Sequence, residues 1–264
     1  MQVFAEIKEK DEERFTMKLL TIAIPCYNSE GYMAKCIESL LPGGKDVEIL
    51  IVDDGSTDQS YAVALEYARR DKRIHLLQQV NQGSAAARNN GLRHASGRYI
   101  ALLDADDLWH PTFLEAQLTF MRQKRATLVC SAYKRIDESG KEILCPLFPP
   151  EQIHYDDLLK TNSIACLTAL YDTRPYGIFF LDEQFRSLRD DYLLWLTILK
   201  KCHTAYGNPQ VLASYRLSSQ GVTANKWRMI VPQYRVYHQA EKMSSLKSLF
   251  YLSCWALNGI KKYV

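Results

Sequence analysis

An apolar run, Tyr99-Ile-Ala-Leu-Leu, ends in three acids within four positions: Asp104, Asp106 and Asp107. A short apolar run opened by Ser96-Gly97-Arg98 suits a buried strand. Acids at the carboxyl end of such a strand are costly to bury without a partner. Asp104 and Asp106, separated only by the small Ala105, can face one divalent cation and the oxygens around it. Hard cations such as Mg2+ or Mn2+ take oxygen ligands and share them with substrate phosphates. An isolated Asp-x-Asp is equally the pattern of a solvated acidic turn, so the decision rests on the rest of the chain.

The elements around these acids alternate. Residues 19–24 read as an apolar strand closed by Pro25, and residues 30–41 have helical spacing that stops at Pro42-Gly43-Gly44. Residues 47–52 form a second buried strand, after which Ser56-Thr57-Asp58 supplies capping chemistry for a helix. Residues 73–77 predict a third strand, residues 83–94 an Ala-rich helix and residues 99–103 the fourth strand. Short strands separated by helices of about a dozen residues predict parallel βαβ units with right-handed crossovers. Ligands of such sheets bind beyond the carboxyl ends of the strands. Tyr27-Asn28, Asp53-Asp54, Asn81-Gln82-Gly83 and Asp104-Ala105-Asp106 all fall on that edge.

Composition frames this site without deciding it. With 264 residues, 47% hydrophobic and 24% charged, the chain can bury a core as one large domain. A net charge of +3 argues neither for nor against nucleic acid. The seven scattered cysteines include no Cys-x-x-Cys pair, which favours reduced thiols in a cytoplasmic protein over a disulfide scaffold or zinc site. No apolar stretch approaches the roughly 20 residues of a spanning helix. Residues 1–18 are polar and acidic, unlike a signal peptide; they read as a frayed or helical extension in which Met17 offers an alternative start.

The residues after the first strand exclude other nucleotide folds. Pro25-Cys26-Tyr27-Asn28 is not Gly-x-Gly-x-x-Gly, and no Walker loop occurs. A phosphoryl-aspartate hydrolase would carry its acids after the first strand rather than the fourth. Four segments together make a specific pattern: Thr21-Ile-Ala-Ile-Pro25-Cys-Tyr27-Asn28, Glu48-Ile-Leu-Ile-Val-Asp53-Asp54-Gly55-Ser56-Thr57-Asp58, Asn81-Gln-Gly83-x-x-x-Ala87-Arg88-Asn89-x-Gly91 and Leu103-Asp104-Ala105-Asp106-Asp107. In this order, through about residue 216, they resemble the family-2 inverting glycosyltransferases of GT-A fold, of the bacterial surface-polysaccharide type. The resemblance implies an α/β fold with a Rossmann-like, mainly parallel sheet flanked by helices. It implies a nucleotide-sugar donor, a UDP-sugar above all, and a divalent metal, Mn2+ or Mg2+.

Carried over residue by residue, the resemblance places Pro25, Tyr27, Asn28, Asp53, Asp54, Asn81, Gly83, Arg88, Asp104, Ala105 and Arg216 around the donor. Tyr27 would border the base, where an aromatic face is suitable. Asp53, an acceptor-only carboxylate, would take the uracil ring N–H. Asp54 would hold its loop through backbone amides, and the Arg88 fork would contact base or diphosphate. Asp106 would ligate the metal directly, Asp104 the metal or the ribose, and Asp107 would cap the next helix, which Pro111 helps to start.

The second half supplies the acceptor side. Ser187-Leu-Arg189-Asp190-Asp191-Tyr-Leu-Leu-Trp195 predicts a helix beginning near Asp190 with Leu194, Ile198 and Leu199 inward. Within the resemblance Asp191 aligns with the catalytic base, and Asp190 and Trp195 lie on the acceptor side. An inverting transfer needs one carboxylate to take the proton of the attacking hydroxyl; helix capping is the plainer reading of the same pair. Phe180-Leu-Asp182-Glu183-Gln-Phe185 resembles the turn that leads into this helix. Residues 211–215 predict a strand before Arg216, which would meet the diphosphate, followed by a Ser-rich loop without a His ligand.

Beyond Asn225 the chain changes character: seven basic residues (Lys226, Arg228, Arg235, Lys242, Lys247, Lys261, Lys262) stand against Glu241 alone. Leu246, Leu249, Phe250, Leu257 and Ile260 share one helical face. The pattern predicts either an amphipathic helix on an anionic membrane surface or a helix packed on the domain or a second subunit. No nucleic-acid module is present. The expected organisation is an extension over 1–18, a catalytic domain over 19–223 divided at residue 107 into nucleotide and acceptor halves, and a basic helical region over 224–264. The expected activity is metal-assisted inverting transfer to a glycan or polyprenyl-linked glycan, in the cytoplasm at the inner face of the membrane. A non-catalytic binding module and a sugar nucleotidyltransferase are the alternatives; the latter would carry a Gly-rich basic loop after the first strand.

Overall fold

A computed structural model describes residues 18–185, 188–217 and 229–261. The N-terminal extension, most of the loop after Arg216 and the basic residues Lys226, Arg228 and Lys262 lie outside these residues. Among the described residues nine strands form one sheet in the order β3 (Ile74–Gln78), β2 (Val47–Asp53), β1 (Leu20–Cys26), β4 (Tyr99–Leu102), β8 (Leu170–Asp172), β6 (Leu128–Ile136), β9 (Thr204–Arg216) and β5 (Leu108–Trp109), with β7 (Gln152–His154) paired to β9. Strands β1 (Leu20–Cys26), β2 (Val47–Asp53), β3 (Ile74–Gln78) and β4 (Tyr99–Leu102) are mutually parallel, as the βαβ pattern requires. Three helices connect them: α1 (Glu30–Leu40), α2 (Ser60–Arg70) and α3 (Ser84–His94).

Past β4 the sheet becomes mixed, so only its first half is wholly parallel. β8 (Leu170–Asp172) is antiparallel to β4 and to β6 (Leu128–Ile136), while β6 runs parallel to the long β9 (Thr204–Arg216). β5 (Leu108–Trp109) and β7 (Gln152–His154) pair antiparallel with β9. The helices of this half are α4 (Phe113–Lys124), α5 (Tyr155–Lys160) and α6 (Asp190–Cys202). Two further helices come after them, α7 (Ile230–Arg235), which runs into a π turn at Val236–Ala240, and α8 (Ser245–Lys261).

Strand alternation divides the buried residues between two cores. On β1, Leu20, Ile22, Ile24 and Cys26 join Met33, Ile37 and Leu40 of α1, whereas Ala23 joins Ala85 and Leu92 of α3. A sheet covered on both faces needs apolar residues at every position, which is why these strands read as continuous hydrophobic runs. Pro25 does not end β1 as the sequence suggested. Ala23 directs its carbonyl to Leu103 on the β4 side and Cys26 directs its carbonyl to Asp54 on the β2 side. The amide that Pro25 lacks therefore faces the side where β4 has already ended, and no ladder bond is lost.

One polar cluster pins the entry to β4. The buried Glu48 accepts from the Thr21 hydroxyl (2.6 Å), the Ser96 amide (2.9 Å) and the Ser96 hydroxyl (2.9 Å), and Thr21 Oγ1 accepts from the Gly97 amide (2.8 Å). Satisfying a buried carboxylate in this way converts a burial cost into a register constraint for β4.

Candidate active site

Each polar cluster sits where its strand ends. Cys26 and Asp53 are register partners in β1 and β2, as are Asp53 and Gln78 in β2 and β3, so the three loops leave the sheet side by side. Tyr27 is half exposed at this edge. Asn28 comes next in the left-handed region (φ 48°), and its Oδ1 accepts from the Thr57 amide at 2.8 Å while its own amide donates to Ser56 Oγ at 3.1 Å. Asn tolerates that conformation and ties the first loop to the second.

Asp53 is fully buried, with one carboxylate oxygen accepting from Gln78 Nε2 (3.2 Å) and the other from the Ser56 amide (3.4 Å). Asp54 takes the loop-holding position expected of it. It accepts from the Gln82 amide (2.9 Å), the Gly83 amide (2.8 Å) and Gln79 Nε2 (2.8 Å), fixing the turn that opens α3. Gly55, at φ +75°, is required here, because a Cβ would come within 3.1 Å of the Asn81 amide nitrogen.

The centre of the site is an ion-pair relay that no single motif announces. Ser84 and Arg88 are one turn apart on α3 and share a face. Arg88 is buried; one terminal nitrogen pairs with Asp104 at the end of β4, and the other donates to Asp190 Oδ2 at 2.7 Å. The Ser84 hydroxyl lies 3.2 Å from the same Asp190 oxygen. Acids from β4 and from the start of α6 thus meet on one guanidinium. Asp190 is buried on Arg88, and Trp195 is fully buried in the core, on the inner side of α6.

Asp191, beside Asp190, remains partly open to solvent. Burial by the surrounding protein and the Asp190 charge push its carboxyl up to about 6, against the pull of Arg88 and Arg189. A carboxylate tuned upward at a helix start on a strand-end crevice has the protonation behaviour of a general base.

Asp106 is likewise pushed up to about 6, by burial and by Asp104. Asp107 is raised well above its ordinary value by burial and the charges of Asp106 and Asp104. Asp107 does not cap the next helix, which begins at Phe113 after Thr112. The antiparallel pairing of β5 with β9 brings Arg216 back over the acids, and the Arg216 amide donates to Asp107 Oδ1 at 2.9 Å. The Arg216 side chain is buried and braces the turn. Its Nε donates to the Asp106 carbonyl (2.8 Å), its Nη1 donates to the carbonyls of Asp137 (2.8 Å) and Glu138 (3.1 Å), and the group lies 4.7 Å from the Tyr32 ring centroid. The Ala105 methyl group points into the core.

Three participants carried no site role in the sequence reading: Ser84, Tyr32 and Asn89, the last quoted only as part of the family pattern. The buried Asn89 accepts from the Leu181 amide (2.8 Å) and donates to the Leu181 carbonyl (2.9 Å) and Glu183 (2.9 Å), clamping α3 to the turn that leads into α6. The signal for Asn89 was its place in the middle of an otherwise Ala-rich, inward-facing helix, where an unpaired amide would be penalised.

Among the described residues no group of three or more His, Cys, Asp or Glu forms a preassembled metal cage. Asp104 and Asp106 are nonetheless an all-oxygen pair, in a patch where five carboxylates (Asp104, Asp106, Asp107, Asp190, Asp191) stand against three guanidinium groups, Arg88, Arg189 and Arg216. That donor set fits a hard divalent cation completed by ligand oxygens.

Residues 21–194 match the family model described as Glycosyl transferase family 2. A Bacillus subtilis glycosyltransferase named for teichuronic acid biosynthesis, TuaG, is 35% identical over 92% of this chain and 97% of its own. The Escherichia coli protein WfgD, named a UDP-Glc:α-D-GlcNAc-diphosphoundecaprenol β-1,3-glucosyltransferase, is 34% identical over 93% of this chain and 95% of its own. Among solved structures, Staphylococcus aureus TarS with UDP-GlcNAc superposes with a TM-score of 0.63 at 17% identity, over 89% of this chain and 70% of that one. The Pyrobaculum calidifontis mannosyltransferase PcManGT with GDP-Man and Mn2+ gives 0.63 at 16% identity, over 95% and 76%.

Proposed function

The chain belongs to glycosyl transferase family 2, and on that premise we propose that it moves a sugar from a UDP-sugar to a hydroxyl of a lipid-linked glycan, with inversion at the anomeric carbon. The observation that carries this reading is the Asp104–Arg88–Asp190 relay, which places the partly open Asp191 across one guanidinium from the Asp-x-Asp turn. Asp191 takes the proton of the acceptor hydroxyl, that oxygen bonds to the anomeric carbon, and the bond from that carbon to the diphosphate breaks. The nucleoside diphosphate leaves on the opposite face.

The donor lies across the strand ends. Tyr27 offers a half-exposed ring for the base, and Asp53 is the acceptor nearest the end of β2 for a ring N–H. The two acids Asp104 and Asp106 would hold a divalent cation, whose chemistry when bound is neutralisation of the leaving diphosphate. Arg88 holds Asp104 and Asp190 in place, and Arg216 holds the Asp106–Asp107 turn, so both arginines shape the acidic site through its carboxylates and carbonyls. The named substrates of WfgD support a polyprenyl-diphosphate-linked acceptor, which would set the reaction at the inner face of the cytoplasmic membrane, in surface-polysaccharide assembly.

The test is hydrolysis and thermal stabilisation with UDP-, GDP- and dTDP-sugars, with and without Mn2+, for wild type, Asp106→Ala and Asp191→Asn. Cation-dependent stabilisation by UDP-sugars is expected, lost in Asp106→Ala and retained in Asp191→Asn, whose turnover is abolished. Turnover by Asp191→Asn at the wild-type rate would refute the assignment of the base.

A further inference from the structure

Helix α8 (Ser245–Lys261) packs on the domain with one face and leaves the other uncovered. Inward, Tyr251 is buried 5.9 Å from the Tyr237 ring, Leu252 meets the core, and Asn258 Nδ2 donates to the Lys160 carbonyl at 3.1 Å at the end of α5. Outward, Leu246 is 83% exposed, Leu249 51%, Phe250 59% and Leu257 62%. At helical spacing these four form a single stripe along the helix. Of the two readings left open by the sequence, packing on the domain holds for one face, while the apolar face stays uncovered among the described residues.

Charge decides the occupant. From Lys242 to Lys261 there is no acid, and Lys247 is exposed on the flank of the stripe. The acid that precedes the helix in sequence, Glu241, is already paired, accepting from Lys200 Nζ at 2.8 Å and from the Tyr155 hydroxyl, and the exposed Asp156 of α5 lies toward Tyr251 on the domain-facing side. An apolar stripe on an acid-free helix with basic flanks is complementary to an anionic bilayer surface. No helix among the described residues is long and apolar enough to cross a membrane. We propose that α8 docks the enzyme on anionic lipid headgroups through Leu246, Leu249, Phe250 and Leu257, with Lys242 and Lys247 at the phosphates.

The position of the helix suits this role. The Arg189 guanidinium, immediately before Asp190 and Asp191, lies 4.9 Å from the centroid of the Trp255 ring on α8. The candidate base is thus one side-chain contact away from the docking helix, next to the plane where a lipid-linked hydroxyl would be presented. This placement rests on the lipid-linked acceptor proposed above, whereas the docking surface itself stands on α8 alone.

The experiment is co-sedimentation of the full chain with vesicles of phosphatidylcholine alone and of phosphatidylcholine with phosphatidylglycerol. Donor hydrolysis in solution is measured alongside, so that failure of docking and failure of the transferase reading are read separately. Wild type is expected to pellet with the anionic vesicles and to be released by salt. The triple variant Leu249→Ser/Phe250→Ser/Leu257→Ser should lower partitioning by about a hundredfold, given the transfer free energy of large apolar side chains. Lys242→Gln/Lys247→Gln, which leaves the stripe intact, should lower binding to anionic vesicles by about thirtyfold. Both variants should hydrolyse donor at the wild-type rate. Wild type that stays in the supernatant with active donor hydrolysis overturns the proposal, as does pelleting indifferent to both variants. A solution dimer that the triple variant dissociates, without vesicle binding by wild type, overturns it in favour of a second copy of the chain.

Discussion

Replacing Asp190 by Asn should move the acid limb of the pH–rate profile downward without removing activity. Asp191 sits at about 6, so its deprotonated fraction is about one in eleven at pH 5 and about ten in eleven at pH 7, close to a tenfold difference in available base. Two groups at this edge could give such a limb, because Asp106 also lies at about 6. Their neighbours separate them. After burial, the Asp190 charge is the largest influence raising Asp191, whereas Asp104 holds that place for Asp106. Asp190→Asn removes the repulsion and frees Arg88 from half of its pairing, and both changes favour an ionised Asp191. The assay is kcat/KM for the donor–acceptor reaction from pH 5 to pH 8 in wild type and Asp190→Asn, since that ratio reports groups of the free enzyme. A limb that stays near pH 6 in Asp190→Asn, or a flat wild-type profile, would refute the reasoning.

The same geometry fixes the outcome of other perturbations. The raised Asp191 pKa means the folded chain holds a proton that the unfolded chain releases, so stability falls as pH rises from about 4 to about 6. Asp191→Asn should remove that loss and unfold at higher urea than wild type at pH 7, by on the order of 1–2 kcal/mol after allowance for its partial exposure. Arg88→Met leaves Asp190 buried without its cation and should cost roughly 3 kcal/mol in urea unfolding, part of which the added Asp190→Asn restores. Asp54→Ala strands the Gln82 and Gly83 amides and should cost about 2 kcal/mol and weaken donor binding in a calorimetric titration, whereas Asp54→Asn should retain part of both. Gly97→Ala places a Cβ against the Thr21 amide nitrogen, 2.6 Å from the Leu20 carbonyl carbon and 2.7 Å from Thr21 Oγ1. It should lower the urea midpoint by about 3 kcal/mol equivalent, since the obstacle is backbone that cannot yield.

The order of strands and helices through β4, the carboxyl-edge placement of Tyr27, Asp53, Asp54 and Asp104, and membership of the family were all legible in the chain. The reason is local: a buried parallel strand needs an unbroken apolar run, the helix between strands needs its own spacing, and each loop must begin where its strand ends. Asp54 could be assigned to loop-holding because its amide partners lie in a turn whose chemistry is written in Asp-Gly-Ser and Gln-Gly. Other properties needed the tertiary structure, because they depend on residues far apart in sequence. Arg88 meets Asp190, 102 positions away, only because the fold brings the start of α6 against α3, and Arg216 meets Asp107 only because β5 pairs with β9. Periodicity could place Trp195 on a helix but could not tell a buried face from an acceptor-facing one, since both are apolar. The stripe on α8 was visible as a pattern, yet which of the helix's faces the domain would cover was settled by Tyr251 and Asn258 finding partners on the preceding elements. Sequence specified which side chains stand at each strand end, and long-range packing specified which of them face one another, because charge pairing and burial are properties of neighbours in space.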